Sequence, residues 1–317
     1  MQPPTGFPGD SLWERIRLTG MAIAEAADVR AQGILDPAGV HAVRVACKQS
    51  RALWQLFEPT LGAQRIAGPD RVLRDAARAL AGRREDAVLV KTVRRLARGC
   101  GKRADRLLLL EFEARLASGI EFGEPDEGVR TRVGAVMQAQ RSELATLPSL
   151  FGAEELAWGL GRSIDRARKA GRRALQARDA EEVLAAWHRC RRWVKYECYQ
   201  LDVCLPQPGR RLGRRRAALE RLGVLLGRYN DLADLDRHLE HRFMAPSGHT
   251  DVPPMPPGVL RELDAGRRLR RLVLRDRARL ARRIERAFRR LYGSGQQSRV
   301  RCRLADRMAA ADLGVRV

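Results

Sequence analysis

Two short stretches set cationic side chains at regular steps. HAVRVACKQSR runs from His41 to Arg51 and places His41, Arg44, Lys48 and Arg51 at steps of three, four and three. HRCRRWVK opens at His188 and repeats the pattern in His188, Arg191 and Lys195, with Arg192 beside them. Such side chains hold anions. Arg offers a planar fork to two oxygens, Lys a compact charge, and His a hydrogen bond or a gained proton when an anion docks. No placed base or nucleophile accompanies them, so the chemistry suggested is recognition of a polyanion rather than bond breaking.

These residues act together only if one element presents them on one surface. An α-helix turns about 100° per residue, so positions 0, +3, +7 and +10 fall within an arc of about 80°. Val43, Cys47, Trp54, Phe57 and Leu61 then form a packing stripe on another side. In the second copy, Cys190, Val194, Leu201 and Cys204 take that role. Cys47, Cys190 and Cys204 therefore read as small core residues. Cys198 reads as lying on the ladder face, with no base placed to activate it.

The two stretches belong to a longer repeat. His41, Arg44 and Lys48 align with His188, Arg191 and Lys195 at an offset of 147 (188 − 41). GRRED at 82–86 aligns with GRYND at 227–231 at an offset of 145 (227 − 82). The order and spacing predict two copies of one helical unit of about 150 residues each. Helical periodicity and the Pro/Gly breaks predict an all-α chain with helices over 11–32, 38–59, 70–82, 85–99, 102–119, 128–146, 153–177, 180–203, 212–227, 230–243 and 258–291. The expected division is a disordered 1–10, a first bundle repeat over 11–150, a second over 151–291, and a loose tail over 292–317, in which LADRMAAADL has the pattern of a short last helix.

Charge supports the polyanion reading. Among 317 residues, 61 Lys and Arg stand against 38 Asp and Glu, a net charge of +23. Such a field favours nucleic acid, a phosphate polymer or an anionic membrane. Further candidate contacts are Arg74, Arg78, Arg166, Arg172, Arg173 and Arg228, near the ladders in sequence. Asp86 and Asp231 suit helix caps or Arg partners, and DLDRHLEH at 234–241 reads as a surface helix rather than a metal site. No metal or other cofactor is expected. The basic run at 267–291 reads as a last bundle helix with a charged outside. The six cysteines form no C-x-x-C pair, the start lacks a signal-peptide pattern, and no apolar run is long enough to span a bilayer. A cytoplasmic chain with reduced thiols is the expectation.

Taken together, H-x-x-R-x-x-x-K-x-x-R in HAVRVACKQSRALWQLF, the second copy in HRCRRWVKYECYQLDVC, LRDAARALAGRREDAVLV at 73–90 and LLGRYNDLADL resemble the CHAD domain, the conserved histidine α-helical domain, over about residues 11–291. The resemblance implies two bundles of about four core helices each, related by a pseudo-twofold and forming one unit with a basic groove. It also implies binding of inorganic polyphosphate and association with polyphosphate granules. Carried over by position, the binding residues are His41, Arg44, Lys48, Arg51, His188, Arg191 and Lys195, with Arg192 alongside. Two departures stand out. Cys198 occupies the place of Arg51 in the second copy, and Asp202 follows on the same face. No segment is similar to the triphosphate-tunnel catalytic domain that often accompanies the family.

The expectation is a non-enzymatic polyphosphate-binding protein. The alternative is a nucleic-acid-binding protein with a diffuse basic surface. The 5% aromatic content weighs against it, with Trp13, Trp54, Trp158, Trp187 and Trp193 all usable as core.

Overall fold

Alanine, leucine and arginine favour helix, and apolar residues recur at helical spacing without β-branched runs. The computed structural model describes residues 11–33, 35–80, 84–119, 125–149, 151–207, 209–243, 257–293 and 296–312, and every regular element among them is helical. The helices are α1 (Leu12–Gln32), α2 (Pro37–Leu61), α3 (Ala63–Ala79), α4 (Arg84–Gly99), α5 (Arg103–Ser118), α6 (Glu127–Thr146), α7 (Ala153–Gln176), α8 (Ala180–Cys204), α9 (Gly209–Phe243), α10 (Pro257–Tyr292) and α11 (Gln296–Asp312). The expected disordered start, all but the last two residues of the Pro-rich break expected at 244–258 and the first part of the acidic loop expected at 121–128 lie outside the described residues, as does the side chain of Asp86.

The helix starts follow local chemistry. Asp36 caps α2 by accepting from the Gly39 amide at 2.6 Å, with Pro37 as the first helical residue. Asp179 caps α8 from the Glu182 amide at 2.7 Å. Gly62, at φ 82°, turns the chain from α2 directly into α3, so α3 starts before the expected 70 and carries Pro69 inside. Burial of Ile66, Pro69 and Leu73 offsets the hydrogen bond that Pro69 lacks. The expected break between 227 and 230 is absent. α9 runs through it because Tyr229 and Leu232 are buried and Asp231 pairs with Arg95 (3.4 Å) instead of capping a new helix.

The chain divides into two compact units. Unit 1 comprises Met1–Gly82, Gly123–Gly223 and Phe288–Val317, and unit 2 comprises Arg83–Phe122 and Val224–Ala287. The units thus cut across the expected halves 11–150 and 151–291. In unit 1, α2 packs on α1, α3, α7 and α8, α1 packs on α6, and α7 packs on α8. Trp13, Phe57 and Phe151 form its aromatic centre, with ring centroids 4.4–5.3 Å apart. Trp54 is buried beside Phe57 and donates to Gln140 at 2.5 Å. Two glycines permit close approaches: a Cβ on Gly159 would collide with the Leu56 carbonyl, and one on Gly171 with the Phe288 ring. A buried network joins α8, α9 and α10, in which Arg215 and the Tyr292 hydroxyl both donate to Glu197 at 2.7 Å.

The tail, expected to be loose apart from a short helix at LADRMAAADL, forms the longer helix α11 from Gln296, packed on α7 and α1. Leu304 and Met308 are buried, and Asp312 accepts from the Leu12 amide at 2.8 Å. Its apolar residues gain more by burial than the tail loses in chain entropy. In unit 2, α4 packs on α5, Phe112 lies 6.1 Å from Phe243, and Arg268 donates to the buried Asp105 at 2.7 Å.

Candidate functional site

The ladder helices α2 and α8 both belong to unit 1 and pack against each other. A buried hydrogen bond ties them, Gln200 donating to the Ala52 carbonyl at 2.7 Å. The packing stripes hold: Val43, Cys47, Trp54 and Phe57 are buried on α2, and Cys190, Val194, Leu201 and Cys204 on α8. Leu61, in the last turn, is half-buried. Burial pushes the Cys47 thiol up to about 11 and that of Cys204 to about 12. Cys198, expected on the ladder face, is buried as well, and burial reinforced by Glu197 pushes it up to about 12. It is a core residue.

With the stripes turned inward, the cations face the other way. His41 and His188 are exposed, and Arg44, Lys48, Arg191 and Lys195 are half-buried. The His188 imidazole is held below its ordinary 6.5, first by loss of solvent around the ring, then by Arg191, Arg192, Arg189 and, from α2, Lys48. Arg44 is fixed by donating to the Ala77 carbonyl at 2.5 Å, at the end of α3. The Lys195 stem lies against α9, where a Cβ on Gly223 would sit 3.3 Å from its Cε. Among the described residues, Arg191, Arg192, Lys195 and Arg172 form no ion pair with a carboxylate.

Other predicted contacts are already engaged. Arg51 is gripped by Asp70 through two bonds of 3.0 and 3.1 Å and lies 5.9 Å from the Tyr196 ring. Arg166 donates to the buried Glu58 at 2.5 and 2.8 Å and to Gln55 at 2.8 Å. It also stacks 4.7 Å over Trp193, while Arg162 shares Glu58 at 2.9 Å. Arg173 pairs with Glu182 at 2.8 Å. Arg74 and Arg78 lie 3.3 and 3.8 Å from Asp75. Arg172 and Arg192 are exposed, and Arg192 lies 5.3 Å from the centre of Trp193. Arg228 is half-buried and belongs to unit 2.

The negative charge expected from Asp202 is answered. Arg216 binds it at 2.8 and 2.9 Å, and its own pKa is raised, chiefly by that hydrogen bond. Two tryptophans expected to serve as core do not: Trp158 is 58% exposed, and Trp193 is half-buried beneath arginines. Sequence reasoning missed Arg162, Arg189 and the clamping acid Glu58. A signal for Glu58 was available, because it is a carboxylate next to the buried stripe of Trp54 and Phe57. Among the described residues, no group of three or more His, Cys, Asp and Glu is placed to hold a metal, and no helix is long and apolar enough to cross a membrane.

This arrangement sets cationic donors of two adjacent helices side by side, which is suited to an anion. Comparison with known proteins agrees with the fold. The family model described as CHAD domain matches residues 20–240. The crystal structure of the CHAD domain from the plant Ricinus communis is similar at a TM-score of 0.58 and 19% identity, over 92% of this chain and 95% of that one. No curated protein matches.

Proposed function

Since this chain belongs to the CHAD domain family, we propose that it binds inorganic polyphosphate through the joint face of α2 and α8, without turning it over. The observation that supports this reading is the direct packing of the two ladder helices, α2 against α8, tied by the Gln200–Ala52 hydrogen bond. Cations brought side by side on two packed helices repel one another, and a polyanion laid along them relieves that repulsion. Polyphosphate carries about one negative charge per phosphate and has no bases to read, so closely set guanidinium and ammonium groups suffice for recognition. Arg44, Lys48, Arg191, Arg192 and Lys195 form the proposed contact set, with His188 and His41 at the edge. Arg51 and Arg166 hold the scaffold through Asp70 and Glu58. The chain is proposed to act in the cytoplasm, on polyphosphate granules where these form.

The test compares affinity for long-chain polyphosphate with that for single-stranded DNA, duplex DNA and RNA of matched charge. It uses the wild type and the Arg44→Ala/Lys48→Ala/Arg191→Ala/Lys195→Ala variant. Preference for polyphosphate, lost in the variant at unchanged helicity, supports the reading. Equal affinity for all polyanions, untouched by the substitutions, points to nucleic acid or any other polyanion on a diffuse basic surface. Phosphate release with added Mg²⁺ or Mn²⁺ would overturn the non-enzymatic part.

A further inference from the structure

Unit 1 contains a cavity of about 990 Å³ between α1, α2, the end of α8 and the start of α9. Its walls are apolar, with Ile23 and Ala26 from α1, Val45 from α2, and Val203 and Leu205 from the end of α8. Several of these side chains are half-exposed, so the cavity opens to solvent. A concave, partly apolar site of this volume has the dimensions of a small-molecule pocket.

Polar side chains interrupt the walls at Thr19, Gln49, Tyr199 and Gln207, and Arg30 and His41 line the cavity where α1 finishes and α2 begins. The Arg30 Cδ lies 4.0 Å from the position of a Cβ on Gly39, which lays the side chain across the first turn of α2. Arg30 forms no ion pair among the described residues. Elsewhere along the wall, Asp202 and Arg216 neutralise each other. Among the described lining residues the cavity has a cationic end and largely apolar walls, and its carboxylate, Asp202, is paired. A second copy of this chain, also at +23, is repelled from it.

We propose that this cavity binds an amphipathic anion of the fatty-acid class, with its carboxylate at Arg30 and His41 and its alkyl chain between α1, α2 and α8. The carboxylate accepts from the Arg30 guanidinium, a charge-assisted bond. The alkyl chain covers Ile23, Val45 and Val203. The site shares His41 with the edge of the proposed polyphosphate face, while Arg30 and the apolar walls lie outside that contact set, so the proposal stands whether or not polyphosphate binds there.

Calorimetric titration of the full chain with octanoate, decanoate and dodecanoate, below their micelle concentrations, tests the idea. Burial of each methylene is worth about fourfold in affinity, so dodecanoate is expected to bind far more tightly than octanoate. Arg30→Gln is expected to weaken binding about tenfold or more. Ala26→Phe and Val45→Phe fill the cavity from two walls and are expected to abolish binding, with helicity and polyphosphate affinity kept. Dodecyltrimethylammonium, of opposite head charge, is expected to bind weakly. Affinity independent of chain length, equal binding of the cationic amphiphile, or undiminished binding by both folded Phe variants would each overturn the proposal.

Discussion

Salt dependence separates side chains that meet a polyanion from those that hold the scaffold. Arg191 and Lys195 stand on α8 without a carboxylate partner among the described residues, whereas Arg51 and Asp70 form a closed pair at 3.0 Å. Each cation that neutralises a phosphate releases a counterion and adds about 0.7 to the slope of log affinity against log salt for a single-stranded polyanion. Arg191→Gln/Lys195→Gln removes two such contacts and is expected to flatten the slope by about 1.4. A fourfold rise in salt then costs the variant about sevenfold less affinity than it costs the wild type. Arg51→Gln/Asp70→Asn deletes a charge pair as a unit, leaves the net charge unchanged, and is expected to leave the slope within about 0.3 of the wild type. The assay is fluorescence titration of end-labelled long-chain polyphosphate across a series of NaCl concentrations, with thermal unfolding as the folding control. If the two double variants flatten the slope equally, the division into contact and scaffold cations is refuted.

Three further outcomes follow from the packing. Glu58→Gln strips the charge that Arg162 and Arg166 share; both arginines are about one-third exposed, so solvent screening limits the expected loss to about 2 kcal/mol, read from urea unfolding. Tyr292→Phe removes the hydroxyl that donates to the fully buried Glu197 and is expected to cost about 1.5–3 kcal/mol in the same experiment. The folded His188 pKa lies below the unfolded 6.5, so its contribution to stability is intact above that value and falls as pH drops through 6.5 towards the folded pKa. His188→Gln is expected to flatten this acid-side decline. A docked polyanion raises the same pKa, so wild-type polyphosphate affinity should gain more than that of the variant on acidification, measured by parallel titrations at about pH 7.5 and 5.5.

The sequence disclosed the helices through periodicity and the ladder through spacing, since both follow from the 3.6-residue turn. Where it misled, the deciding partner lay far away along the chain. Arg51 and Lys195 both look like ladder cations in the motif, yet Asp70 on α3 claims the first. Arg166 looks like one more cation until Glu58, buried on α2 and 108 residues earlier, is placed against it. Cys198 falls at a ladder position by repeat alignment, but at this point the second copy turns its helix face into the protein, and the small thiol fits where a guanidinium would have needed a partner. The same reasoning explains α11, whose Leu304 and Met308 resemble an indifferent tail until α7 and α1 supply their receptor. A repeat in sequence thus preserves a face of a helix more faithfully than it preserves the charge available there. For a polyanion site this distinction governs affinity: a pair such as Arg51–Asp70 contributes position, and only cations without such a partner contribute to the field that a phosphate chain meets.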